Sequence, residues 1–299
     1  HRRRRRRRPH RLTRKQDRTV PHPLETSSPR PGPAAFVTAV GRWALATVSY
    51  IGGITYLALD LLHWITQTLL LRRLRFGRGA FYTQMVRVGV RSIGIIALVA
   101  GCIGLILGLQ MAPPLSEFGQ TDKVANIIGV AVLRELGPLI SAIVLTGFAG
   151  ASIAAELGTM KVGEEIEALE SMALNPVRFL VMPRVVATIL ALIVLCVIGD
   201  IVAIAAGAVM GVFVLEIPWP LYWANTLDQV KLADFITGLI KAGVFGMLIA
   251  VIACYNGLRV SGGAAGVGKA TTTTVVHALV SIIFADLLFT AIFYALGWH

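Results

Sequence analysis

Charge is what this sequence has least of. Only 15% of its 299 residues are charged and 56% are hydrophobic, with mean hydropathy +0.73. A soluble chain of this length needs far more charge to cover its surface, so a soluble globular protein is excluded. Cysteine is scarce too. Cys102, Cys196 and Cys254 each sit inside an apolar run, which excludes a disulfide framework and metal-ligand spacing and leaves the role of small buried hydrophobes. Short alternating strands of ~10 residues are missing, which argues against a membrane β-barrel. No apolar core of ~7–15 residues directly follows the N-terminal charges, so no secretory signal is expected. Nucleophile–base pairs and metal clusters are also lacking, and the chain does not read as an enzyme.

What is there is long apolar runs, enough to cross ~30 Å of hydrocarbon as helix. The expected fold is an all-α membrane protein. The net charge of +12 is local: residues 1–30 hold twelve Lys and Arg against Asp17 and Glu25, and the remainder carries only +2. The segment 1–33 is basic, Pro-rich and poor in apolar residues, and is expected to be a disordered tail. Its first residue is not Met, consistent with a processed or engineered terminus. Nucleic acid or anionic headgroups would suit such an arginine run; a solvated tail that helps orient the protein is the reading kept, with no nucleic-acid partner.

The first apolar stretch, 34–71, is interrupted by Arg42, Asp60 and His63 and has basic flanks on both sides. A spanning helix would place one of those flanks outside, against the positive-inside rule, so an interfacial or re-entrant helix is expected. Five spans follow at 92–113, 128–154, 185–214, 236–256 and 273–296. Loop 114–127 holds only Lys123 and loop 215–235 only Lys231, whereas loop 155–184 holds Lys161, Arg178 and Arg184, and loop 257–272 holds Arg259 and Lys269. This alternation places the N-terminus in the cytoplasm and the C-terminus outside. Small residues at four-residue spacing, Gly104 with Gly108 and Gly207 with Gly211, allow close helix packing.

Charged groups inside a span are costly and face a cavity or a partner. Five are expected here: Arg134, Glu135, Asp200, Lys241 and Asp286. Counting along the spans puts Gln110, Arg134, Glu135 and Lys241 one to two turns below the outer face, with Asp200 and Asp286 nearer mid-membrane. Gly137-Pro138 should kink the second span beside the charges. Salt bridges that merely hold the bundle are the plain reading of these residues; a polar-lined substrate cavity is the functional one. For Lys241 two partners are available, Glu135 or the phosphate of a bound lipid.

A second constellation lies between spans two and three. Val162, Ile166, Leu169 and Ala173 make the stripe of a short amphipathic helix within about 157–175, with Glu164, Glu165, Glu167 and Glu170 around it and Asn175-Pro176 at its end. Acidic residues in a loop that should be basic suggest docking of a basic protein partner. Gly263 to Ala270, GAAGVGKA, falls one residue short of a phosphate-cradling loop. Ala270 stands where Ser or Thr is required and no strand precedes it, so ATP binding here is rejected.

Three stretches resemble a known family: RELGPLISAIVLTGFAGASIAAELGTMKVGEEIEALESM (134–172), NPVRFLVMPR (175–184) and KAGVFGMLIAVIACYNGLRVSGGAAGVGKATT (241–272). They are similar to the MlaE/YrbE permeases, membrane subunits of ABC systems that work with MCE proteins. The resemblance covers residue 36 to the end, making 34–299 a permease domain. It implies a homodimer with an interfacial helix and five spans per subunit, in a cell inner membrane, or less readily an actinobacterial membrane or plastid envelope. It implies cytoplasmic ATPase subunits as partners, an MCE-domain protein on the outer side, phospholipid as cargo and no cofactor of its own. Gln110, Arg134, Glu135, Lys241 and Asp286 correspond to cavity residues, and Glu164, Glu165, Glu167 and Leu169 to the helix that couples to the ATPase. Phe148 departs from the family, many of whose members have Arg there. The competing reading is a channel or ion-coupled carrier using Asp200, Asp286 and Lys241; a membrane-embedded lipid enzyme is more distant.

Overall fold

A computed structural model describes residues 33–69 and 78–297. Almost all of the basic tail, together with Arg72, Arg73 and Arg75, lies outside the described residues. Among the described residues the secondary structure is helical, with no strand. The first helix, α1, runs unbroken over Pro33–Leu69. Its part up to Val48 belongs to one compact unit, and the chain from Ser49 onward forms another.

The second unit is built from helices that are longer than the expected spans. The first path joins α2 (Arg78–Val88), a 3-10 turn at Val90–Ser92 and α3 (Ile93–Glu117). Pro113 and Pro114 lie inside α3 near its end, so the carbonyls of Leu109 and Gln110 lack their usual i+4 donors. The second path runs through α4 (Val124–Ala131), a π-turn at Val132–Leu136, α5 (Gly137–Leu145), a π-turn at Thr146–Gly150 and α6 (Ala151–Val162). Then come α7 (Glu165–Ser171), a π-turn at Val177–Val181 leading into α8 (Met182–Phe213), α9 (Trp219–Gln229), α10 (Leu232–Leu258) and α11 (Gly263–Ala295). The helix α9 occupies what the charge pattern treated as plain loop.

Two π-turns have the same cause. Val132–Leu136 ends two residues before Pro138 and Val177–Val181 two residues before Pro183. Each proline has no N–H and its ring would strike the carbonyl four residues back, so the helix widens by one residue just ahead of it.

Among the described residues six helical segments are long and apolar enough to cross a membrane, so this is a multi-pass membrane protein. Five cover the expected spans to within one residue. The sixth, Val40–Gln67, covers the stretch read as interfacial; it is the least apolar of the six but still long and apolar enough to cross, because Arg42, Asp60 and His63 are too few to interrupt it. The central helix is α10: 56% of its most apolar window is buried, against 11% for α11. Its Phe245 and Ile249 pack in one cluster with Leu145 of α5 and Leu192 of α8, all four fully buried. The glycine pairs act as expected, since a Cβ at Gly104 would overlap the Ala203 carbonyl where α3 lies on α8. Of the cysteines, Cys196 and Cys254 are buried, while Cys102 is exposed on α3.

Candidate functional site

The π-turn before Pro138 sends two neighbouring side chains to different partners. Close approach of α10 makes this possible: at Gly238 there is no room for a Cβ, which would overlap the Leu133 carbonyl. One turn later Lys241 points at the π-turn, with no exposure to solvent. Its ammonium donates to Glu135 Oε2 at 2.5 Å, Asp286 Oδ1 at 2.8 Å and Thr290 Oγ1 at 3.0 Å. All three ammonium protons are thereby used. The Thr290 hydroxyl donates in turn to Glu135 Oε1 at 3.1 Å, which closes the ring. Asp286 and Thr290 lie one turn apart on α11, so three helices meet at one lysine. The Glu135 side chain retains 35% of its exposure and Asp286 17%, which makes the glutamate the open edge of the cluster.

Arg134 turns away from this ring. Its guanidinium lies 3.7 Å from Asp234 Oδ1, and Asp234 also caps α10 by accepting the Lys231 backbone N–H at 3.1 Å. The capping carboxylate thus steers the arginine.

Of the expected cavity residues, Glu135, Lys241 and Asp286 touch directly, and Arg134 lies beside them. Gln110 does not join: it is exposed on α3 and takes no part in these contacts. Asp286 is not deeper than Lys241, as the count along the spans expected. Lys241 stands nine residues after the start of α10 and Asp286 nine before the end of α11, so antiparallel helices bring them level. The helix ends, misplaced in the sequence, caused the error. Asp200 is separate. It is 2% exposed on α8, accepts a weak hydrogen bond from Cys196 Sγ at 3.5 Å on Oδ2, and fills the place a Cβ at Gly137 would need.

The acidic segment is shorter than the stripe suggested. Gly163 and the left-handed Glu164 (φ 59°) break the helix after Val162, and the left-handed Ala173 (φ 58°) closes the turn beyond α7. Val162 and Ala173 therefore fall outside α7. Ile166 is buried and Leu169 half-buried, while Glu164, Glu165, Glu167 and Glu170 are exposed. Lys161 donates to Glu167 across the break, and that hydrogen bond holds the Glu167 carboxyl below the usual glutamate range. Asn175 does not close α7 but opens the next helix, accepting the Val177 N–H at 2.9 Å and that of Arg178 at 3.3 Å.

One charged cluster was missed by sequence reasoning. Glu156 on α6 accepts from Arg184 Nη2 at 2.8 Å on one oxygen and from Arg87 Nη1 at 2.5 Å on the other. Arg184 also donates to the Leu180 carbonyl at 2.7 Å, an acceptor that lies in the π-turn before Pro183. The available signal was a carboxylate near one helix end facing an arginine just after a Pro, but nothing local pairs them across 28 residues. This cluster sits at the opposite end of the bundle from Lys241, since a Cβ at Gly257 near the end of α10 would overlap Leu157 on α6.

With this geometry in view, the comparisons are specific. The family model for Permease MlaE matches residues 81–292. A probable ABC transporter permease protein of Rickettsia felis is 37% identical over 211 residues, 71% of this chain and 82% of that protein. The intermembrane phospholipid transport system permease protein MlaE of Haemophilus influenzae is 34% identical over 215 residues, 72% of this chain and 82% of its own. The chloroplastic protein Trigalactosyldiacylglycerol 1 of Arabidopsis thaliana is 34% identical over 211 residues, 71% of this chain and 60% of that protein. The resemblance carried by residues 134–172, 175–184 and 241–272 holds, and the chain belongs to the MlaE permease family, a membrane component of transporters and not an enzyme.

Proposed function

We propose that this chain is the membrane-spanning subunit of an ABC transporter that moves phospholipid between its own membrane and an MCE-domain protein on the outer side, driven by separate cytoplasmic ATPase subunits. The observation that carries the reading is the cluster on α10, α11 and the π-turn. A transporter scaffold needs no lysine deep in an apolar bundle, and a lone charge there costs ~2.5–3.5 kcal/mol on insertion scales. Here that lysine is tied off by its own carboxylates, and the adjoining Glu135 and Arg134 form a partly open polar edge. We assign Arg134 the phosphate contact, because a guanidinium offers two parallel donors to one phosphate. Lys241, Asp286 and Thr290 hold Glu135 in place beside it, and Gln110 belongs to the cavity wall on α3.

In this reading two copies of the chain enclose one cavity and α7 carries the ATPase contact, with Ile166 and Leu169 toward the bundle or groove and Glu164, Glu165 and Glu167 meeting basic residues at the rim. The α7 end then faces the cytoplasm, the Lys241 end faces outward, and α1 lies in the interface. The relatives support a bacterial inner membrane, with the plastid relative marking the alternative.

The test is lipid carried per dimer, by mass spectrometry of complexes assembled with ATPase. Arg134→Ala and Glu135→Ala should assemble yet carry less phospholipid and transport poorly; wild-type lipid and transport in both sink the site. For α7, reversing Glu164 and Glu165 to Lys should weaken ATPase association or uncouple hydrolysis, and unchanged assembly with unchanged hydrolysis refutes that contact.

A further inference from the structure

The turn between α10 and α11 carries a second polar cavity, of about 290 Å³, at the end of the bundle remote from Lys241. Tyr50 of α1, Asn256 and Arg259 at the end of α10, Ser261 of the turn and Lys269 of α11 line it. The chemistry of this lining is one-sided. It holds two cations and no carboxylate, and neither Arg259 nor Lys269 makes an ion pair with any described residue. Lys241, Arg184, Arg87, Arg134 and Lys161 all do.

The cavity is also organised. The Arg259 guanidinium donates to the Tyr255 hydroxyl and lies over that ring, 5.1 Å from its centre. The Tyr50 hydroxyl donates to Asn256 Oδ1 at 3.1 Å, and Asn256 Nδ2 donates to Thr274 Oγ1 at 3.0 Å. The floor is therefore satisfied internally, while the two cations at the rim are left to find an anion. A guanidinium and an ammonium facing one polar space suit a phosphate.

Position separates a lipid phosphate from a free one. Lys241 and Arg259 are eighteen residues apart along α10 and its C-cap, ~27 Å along the axis and close to the thickness of a hydrocarbon core. If one lies at the headgroup level of one leaflet, the other lies at that of the opposite leaflet. Along α11 the face that bears Lys269 and Thr273 continues at helical spacing into Val276, Val280, Ile283 and Leu287, all four exposed. A cationic head with an apolar track beneath it has the layout of a phospholipid molecule.

We propose that this cavity is a second phospholipid site, which takes the phosphate of a lipid in the leaflet on the α7 side between Arg259 and Lys269 and lays an acyl chain along α11. The near-motif GAAGVGKA acquires a use here, since its lysine is Lys269. It lies in the opening turns of α11 and not in a nucleotide loop. The lipid-permease reading supplies only the identity of the ligand.

The experiment uses the full complex with its ATPase in nanodiscs of phosphatidylcholine containing phosphatidylglycerol, and counts phospholipid retained per chain by native mass spectrometry. The double variant Arg259→Gln, Lys269→Gln should lose one phospholipid per chain, with retention about a hundredfold weaker on titration, about tenfold for each charge-assisted hydrogen bond removed. The charge-keeping exchange Arg259→Lys, Lys269→Arg should restore it. Unchanged counts in a stably assembled double variant overturn the proposal. Should that variant assemble poorly, the single change Lys269→Gln, on an exposed residue, gives the same readout. Inorganic phosphate is titrated in parallel; a site that loses phosphate binding in the variant while keeping its lipid count is a free-anion site and overturns the lipid assignment. Arg134→Ala is counted alongside: a normal count there counts against the outer site alone, because the two sites release different lipids.

Discussion

The two ends of the bundle solve the same problem with opposite signs. At one end a single cation, Lys241, is held by two carboxylates and a hydroxyl; at the other a single carboxylate, Glu156, is held by two guanidiniums. Both obey the rule that buried charges are paired. The difference lies in which member is buried. Lys241, the lone ion of its cluster, has no exposure at all, whereas at the other end the most buried side chain is Arg184 at 8%, one of the pair, and Glu156 keeps 28%. The first cluster therefore has a hub that cannot be replaced by water, and the second has a hub that can.

That contrast is breakable. The largest effect is expected at Lys241→Ala, which leaves two carboxylates facing each other in an apolar setting. Breaking a buried pair in this way costs about 3–5 kcal/mol, visible as a large loss of thermal stability of the purified chain. A fall no larger than that of Glu156→Ala would show that the buried hub is not special.

Glu156→Ala comes next. It strands Arg184, whose Nε already lacks a partner, but Arg184 retains its bond to the Leu180 carbonyl and Arg87 reaches solvent. About 2 kcal/mol is expected, measured by the same melting experiment.

The carboxylates of the first cluster should back each other up. Glu135→Gln and Asp286→Asn each leave Lys241 one full ion pair and should cost about 1–2 kcal/mol singly. The double variant should exceed their sum, because only then does the lysine lose every carboxylate, and a double-mutant cycle reads the coupling. Additive behaviour would mean the two oxygens act independently and the ring through Thr290 is unimportant.

The smallest effects belong to exposed pairs. Arg87→Ala removes a guanidinium that is 41% exposed, so the change should stay below about 1 kcal/mol. The Lys161–Glu167 pair sets a pH dependence with a definite sign. The Glu167 carboxyl is held below its usual range by Lys161, so the contact is fully present above the ordinary glutamate pKa and is lost as pH falls through the lowered one. A carboxyl-carbon NMR titration should show Glu167 titrating below the ordinary glutamate range, and Lys161→Met should bring it back toward that range.

Much of this was legible in the sequence because lipid leaves few choices. Apolar length announced the spans, and glycine spacing announced close helix packing, though not that Gly104 would seat α3 on α8. Charges too expensive to be accidental announced Glu135, Lys241 and Asp286. Helix ends were not legible. α3 continues through Pro113-Pro114, and α11 begins at Gly263, ten residues before the expected span, since near a bundle's ends the segments stay helical while becoming polar. The start of α10 at Leu232, four residues before the expected span, is the error that moved Asp286 off the Lys241 level. The amphipathic stripe was over-read for a related reason: periodicity cannot see that Glu164 takes a left-handed conformation, which cuts Val162 from Ile166. The Arg87–Glu156–Arg184 cluster joins residues from three elements, and no local spacing encodes it.

The π-turn at Val132–Leu136 has one further implication, for insertions and deletions. A π-turn is an ordinary helix holding one residue too many. Removing a residue from it leaves a continuous, fully hydrogen-bonded helix whose flanks keep close to their present orientation, but it shifts the side chains inside the turn by up to about 100° around the axis. The same small deletion in a loop would pass unnoticed. Here it would set Arg134 and Glu135 at the wrong angle to α10 while α5 and α6 stayed packed, so the register of this span, more than its amino-acid content, carries the site.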